Sequence, residues 1–229
     1  MGERAGGHIH QIYDTELGRL ESILAAMGGR CEQQLDMALT ALETRNDDLA
    51  RQVVAADQGL DRLEREAEEL VIRVFALRQP VAVDLRIVLG SLKVASGYER
   101  VGDNIKHMAK RTLALNAAPP VSAVEDVLLL GRAVRAAFHA ANDAAARRDA
   151  AAAVKVWEGD QDVDAQYLQA AQAISACSAA ESRHGPSCLH LHFVAKALER
   201  VGDHATNLAE VVAFQVQGRR LPDERPKLG

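Results

Sequence analysis

A five-residue string, Glu99-Arg100-Val101-Gly102-Asp103, returns as Glu199-Arg200-Val201-Gly202-Asp203 after an interval of 100 residues. The match extends upstream through Val94-Ala95 and Val194-Ala195, and downstream to Ala109 and Ala209. An earlier echo pairs Asp57-Gln58 and Asp61 with Asp160-Gln161 and Asp164. Similarity at one fixed interval is the mark of a repeated structural unit, so whatever fold the first half adopts, the second adopts too.

The period of the apolar residues says what that unit is. Ile12, Leu17, Leu20, Ile23, Leu24, Met27, Cys31, Leu35, Leu39 and Leu42 recur at spacings close to three and four, the rhythm of an amphipathic helix over about 8–44. The Gly28-Gly29 pair is a candidate bend. Asn46-Asp47-Asp48 is an N-cap cluster opening a second helix toward Leu77, and Pro80 stops it. A third begins near Val81 and ends before Pro119-Pro120, and the second half repeats the plan at about 121–147, 150–182 and 187–217. Aromatics make up only 3% of the chain. Alanine is abundant, and both facts favour helix over sheet. Short connections between long helices imply antiparallel neighbours. The expected fold is all-α, two tandem, pseudo-symmetric up-down-up three-helix bundles. The expected domains are 1–118 and 119–229, with a loose tail from about 218.

A net charge of -5, with Lys and Arg scattered among acids, offers no basic face for nucleic acid. The N-terminus lacks a signal peptide's apolar run, and no stretch of 18 uninterrupted apolar residues occurs, so the expectation is a cytoplasmic protein without direct membrane insertion. Cys31, Cys177 and Cys188 are odd in number and form no CxxC pair, which fits reduced, packed thiols.

Residues four apart on a helix share a face, so Glu99 stands over Asp103 and Asp57 over Asp61. If these faces meet, four carboxylates converge in each half and need a cation. A divalent or trivalent metal is one answer, because hard oxygen ligands suit such ions. A basic side chain is another. Lys106 and Lys110 follow Asp103, but Thr206 and Glu210 stand at the matching places, so an ion pair does not explain the repeat as a whole. Arg100 and Arg200 are rotated about 100° from each Glu and point elsewhere. A solvated acidic face is the third answer. The acidic stripe continues to His107 in one copy and Asn207 in the other, both lone-pair donors. Gly102 and Gly202 each cost a helix about 1 kcal/mol against alanine, and suggest close approach of another backbone or an ion.

The chain also resembles the PhoU family of bacterial phosphate-uptake regulators. The resemblance rests on Met27-Gly28-Gly29 followed by Glu32-Gln33-Gln34-Leu35, on Arg78-Gln79-Pro80 followed by Asp84-Leu85-Arg86, and on the two Glu-Arg-Val-Gly-Asp strings with Asn207 after the second. It spans roughly residues 8 to 217. It implies paired three-helix bundles, often homodimeric, whose acidic motifs hold metal ions such as iron, zinc, manganese or magnesium. Carried onto this chain, the implied ligands are Glu99, Asp103, Glu199 and Asp203, faced by Asp57, Asp61, Asp160 and Asp164. It further implies a non-enzymatic negative regulator of the phosphate-starvation response, linking the ATPase subunit of the phosphate ABC transporter to the sensor histidine kinase of a two-component system.

The alternative is a carboxylate-bridged di-iron oxidase or metal-storage bundle. Such proteins use Glu-x-x-His from each of two helices, and the chain has one match, Glu181-Ser182-Arg183-His184, beside Gly185-Pro186. Cys188 and His192 share a helix face and are more simply read as packing than as ligands. No Walker-type phosphate loop is present.

Overall fold

In the computed structural model, residues 3–78 and 80–222 are described, with side chains from Tyr13 onward and excepting Ala82. Eight α-helices make up this part: α1 (Glu3–Thr44), α2 (Asp47–Ala56), α3 (Gln58–Arg78), α4 (Ala82–Asn116), α5 (Val124–Arg147), α6 (Ala150–Glu158), α7 (Asp160–Ala180) and α8 (Gly185–Gln217). There is no strand among the described residues. The 42 residues of α1 make a rod of about 63 Å, and the Gly28-Gly29 pair does not interrupt it.

The helices expected over 46–77 and 150–182 are each broken once, giving α2 and α3 in one half and α6 and α7 in the other. Asp57 sits at the first break with its own backbone still helical, and its carbonyl accepts from Leu60 N at 2.9 Å. Asp57 and Asp61 therefore remain one turn apart. Gly159 makes the second break and leaves Asp160 as the first residue of α7.

The turns that open these middle arms are also duplicated. Arg45 and Arg148 both lie in the left-handed region, at φ 54° and 51°. The next residue then caps the following helix: Asn46 accepts from Leu49 N, and Asp149 from Ala151 N and Ala152 N. The Asn46 and Asp149 amides donate back to Ala41 and Ala144, closing α1 and α5 as helix-ending turns usually do with glycine. Arginine there carries compensating contacts: Arg45 donates to the carbonyls of Asn116 and Ala118 at the end of α4, and Arg148 pairs with Glu21. Pro186 lies in the first turn of α8, where its missing N–H costs nothing, so α8 starts at Gly185 rather than after the proline.

α4 and α8 are the central pair, with α1 and α5 beside them, and one continuous apolar core runs through both halves. Glycines let the halves approach. A Cβ on Gly131 of α5 would collide with Leu39 of α1, and one on Gly28 of α1 would meet Asn142 Oδ1 of α5 at 3.2 Å.

Candidate functional site

The helix break brings Asp57 to the end of α2 and leaves Asp61 and Glu64 on the first turns of α3, opposite Glu99 and Asp103 of α4. Glu99 is half-buried, and its carboxyl is raised by burial first and then by Asp103, Glu64, Asp61 and Asp57. Glu64 is raised by burial, Glu68 and Asp61, while Ser96 and Arg100 act the other way. Both shifts have the cause expected where like charges meet in partial burial. Asp57, Asp61 and Asp103 all act on the Glu99 carboxyl through their charges, and Glu64 acts with them. Its signal was present in the sequence, since Glu64 and Glu68 continue the acidic spacing from Asp61, but the second half has Tyr167 and Ala171 at the matching places and the repeat hides it.

Lys106 neutralises part of this face. Its ammonium contacts the buried Asp57 carboxylate and stands 3.4 Å from Asp103 Oδ1, and these hydrogen bonds raise its pKa. His107 is exposed, one residue further round the helix.

The second face follows the same plan with different partners. Asp160 accepts a 2.7 Å bond from Thr206 Oγ1, in the place where Asp57 meets Lys106. Lys196 bonds Glu199 Oε1 at 2.7 Å and lies over the Tyr167 ring, while Glu199 Oε2 is buried without a hydrogen-bond partner. Asp203 is half-buried, and Asp164 and Asn207 are exposed. Between the faces, His204 is held below the usual histidine range by burial, then by Arg100, with Arg200 adding to it and Asp203 opposing.

The residues of Gly102 and Gly202 have a plainer reason than an ion or a backbone crossing. A Cβ on Gly102 would run into the Leu60 side chain, and one on Gly202 would meet Val163 Cγ1 at 2.9 Å. The glycines admit the apolar residue that starts α3 and α7, so the acids on either side are brought together by packing.

Among the described residues, no three His, Cys, Asp or Glu side chains gather closely enough to hold an ion. The two faces nevertheless differ in fit. The first already holds an ammonium against two of its carboxylates. The second has a buried, unpartnered carboxylate oxygen on Glu199, an atom that a hard cation would satisfy.

Glu181 Oε2 lies 3.8 Å from His184 Nε2, but the pair is held by a turn and not by a regular helix. Glu181 is extended at φ -145°, and His184 ends a 3-10 turn, Ser182–His184, so the spacing is not that of an α-helix. Cys188 is buried and His192 exposed, which separates that pair as well. The Cys188 thiol neighbours Cys177, whose sulfur lies 3.8 Å from His184 Nδ1. Burial pushes the Cys188 thiol up to about 11, so it stays protonated.

A cleft of about 650 Å³ separates the halves on the side of the Met27-Gly28-Gly29 motif. Glu32 accepts from Asn142 Nδ2 at 2.8 Å and contacts His139, and Asn142 accepts from Tyr98 OH at 2.8 Å. These residues tie α1, α4 and α5 together, a role that no periodicity reveals.

The PhoU domain model matches the chain twice, over residues 24–112 and 127–212. The chain belongs to the PhoU family. Each acidic face lies within one PhoU domain, so the site is duplicated with the family unit itself. The chain is 39% identical over 222 residues to the phosphate-specific transport system accessory protein PhoU homolog of Caulobacter vibrioides (strain NA1000 / CB15N), covering 96% of each. It is 37% identical over 217 residues to the PhoU homolog of Zymomonas mobilis, covering 95% of this chain and 92% of that one. The structure of PhoU from Pseudomonas aeruginosa superposes with a TM-score of 0.88 at 34% identity, covering 90% of this chain and all of the other. PhoU from Streptococcus pneumoniae has the same fold, with a TM-score of 0.84 at 22% identity over 92% of this chain and 99% of that one. No helix among the described residues is long and apolar enough to cross a membrane.

Proposed function

We propose that this PhoU chain is a non-enzymatic accessory protein of phosphate uptake, which represses the phosphate-starvation response when phosphate is plentiful. The single observation that supports this most strongly is the paired PhoU match together with relatives named as phosphate-specific transport system accessory proteins along nearly their whole length. In this reading it works in the cytoplasm as a homodimer, between the ATPase subunit of the phosphate transporter and the sensor histidine kinase. That no helix among the described residues is long and apolar enough to cross a membrane is compatible with such a go-between.

Metal binding is the second part of the proposal. Glu199, Asp203, Asp160 and Asp164, with Asn207 beside them, are the ligand set favoured for a hard ion such as manganese, magnesium or iron. Glu199 Oε2 supports it as a buried acceptor lacking a donor. Glu99, Asp103, Asp57 and Asp61, with His107 at the edge, form the second candidate set. When bound, the ion would cross-link α7 to α8, stiffening one bundle without performing a reaction. The di-iron oxidase reading loses its one motif, because Glu181 and His184 lie off the helix.

Deletion of the gene is expected to leave the starvation regulon on in high phosphate, and the intact chain to restore repression; normal repression in the deletion strain contradicts the regulatory reading. Elemental analysis of protein purified without a metal-affinity tag, against Asp103→Ala and Asp203→Ala variants, checks the metal. Equal, negligible metal in all three would refute that part alone.

A further inference from the structure

Two of the three thiols meet where α7 turns into α8, Cys177 in the last turn of one helix and Cys188 in the first turn of the other. Both are buried, at 8% and 3% exposure, and their thiols are in hydrogen-bond contact. Cys177 Sγ also lies 3.8 Å from His184 Nδ1, and the opposite ring nitrogen, Nε2, faces Glu181 Oε2 at 3.8 Å. Arg183 Nε holds the same carboxylate oxygen at 2.5 Å. A carboxylate beside Nε2 favours the tautomer with its proton there, which leaves the Nδ1 lone pair turned toward the Cys177 thiol. Carboxylate, imidazole and two thiols thus stand in order, with the base next to one thiol only. Cys31 has a different setting, fully buried and donating to the Tyr98 carbonyl at 3.3 Å.

We propose that Cys177 and Cys188 are a redox-active dithiol, oxidised by a small peroxide to a disulfide that pins α7 to α8. His184 accepts the Cys177 proton, and the thiolate sulfur attacks one peroxide oxygen. The O–O bond breaks, the departing hydroxide takes back that proton as water, and Cys177 becomes a sulfenic acid. Cys188 sulfur then attacks Cys177 sulfur; the S–O bond breaks, and hydroxide leaves with the Cys188 proton as a second water. The thiols have lost two electrons, and the peroxide has gained them. The surroundings divide the labour. Cys177 has the base, whereas burial and the Cys177 neighbour push the Cys188 thiol up to about 11, which suits it to resolve rather than to attack first. Burial also favours an oxidant as small as hydrogen peroxide over bulkier ones.

The reduced full chain is treated with hydrogen peroxide, unfolded, alkylated and weighed by intact-mass spectrometry. Oxidised wild type is expected to take up one alkyl group against three for the reduced chain, and its digest to contain Cys177 joined to Cys188. Cys188→Ala should stop at a Cys177 sulfenic acid that a 1,3-diketone traps. His184→Gln should form the same disulfide at least tenfold more slowly, because the base is gone. Mere loosening of the turn acts the other way, exposing the thiols and speeding oxidation. Three free thiols in treated wild type, or loss of Cys31 as fast as the pair, overturns the proposal, and neither readout needs a substituted chain. A His184→Gln rate equal to or above that of wild type overturns the role given to His184.

Discussion

Gly102 shows how closely the site depends on single atoms. Its α-carbon faces the buried Leu60 side chain, so an added methyl group must displace the Leu60 tip. Gly102→Ala is expected to cost about 0–2 kcal/mol, overpacking of about 1–3 less the helix gain of about 1, and Gly202→Ala less, because its contact with Val163 is looser. Urea denaturation of both variants measures the difference. A second residue-scale prediction concerns Glu99. Burial and neighbouring carboxylates raise its folded pKa, so between the ordinary Glu value and that raised value the folded state binds more protons than the unfolded one. Its contribution to stability therefore falls as pH rises through that window. Metal-free Glu99→Gln should melt above wild type at pH values above that window. The gap should close as pH drops below the ordinary carboxylate range, as followed by thermal melts across pH.

The middle arms are the elements on which the site turns. Their starts are secured by Asn46 and Asp149, and their breaks place Asp57 and Asp160 against α4 and α8. Asp149→Ala removes the acceptor for two amides of the nine-residue α6 and is expected to cost about 1 kcal/mol. Amide exchange should quicken in α6 more than in α5; uniform exchange would show that the cap does not hold the arm locally. Capping residues are visible in sequence because their chemistry is local. The first break is not, since Asp57 keeps helical dihedrals, whereas a glycine, Gly159, stands at the second.

At the scale of the molecule, the duplicated halves share their apolar interior. Leu39 enters the space left by Gly131, and Gln215 of α8 donates to the Ile87 carbonyl of α4 at 3.0 Å. The chain should therefore unfold in one cooperative transition, with equal calorimetric and van't Hoff enthalpies. Fragment 1–118 alone exposes the α4 face that α8 covers, and is expected to self-associate; a monomeric, cooperatively folded fragment would contradict this. Metal at one face would stiffen part of a continuous body, and a change at either bundle has a packed route to the other through α4 and α8.

Helical class, duplication and the Asn46 cap were legible because each depends on periodicity, repetition or local chemistry. Glu64 was obscured by Tyr167 in the second copy. The ion pair of Lys106 with Asp57 joins residues that only folding brings together, and the glycine contacts depend on which side chain arrives opposite. Spacing along a helix says which acids share a face. Whether that face holds a lysine, a threonine hydroxyl or an unpartnered oxygen depends on how neighbouring helices pack, where differences of a few ångströms decide the electrostatics.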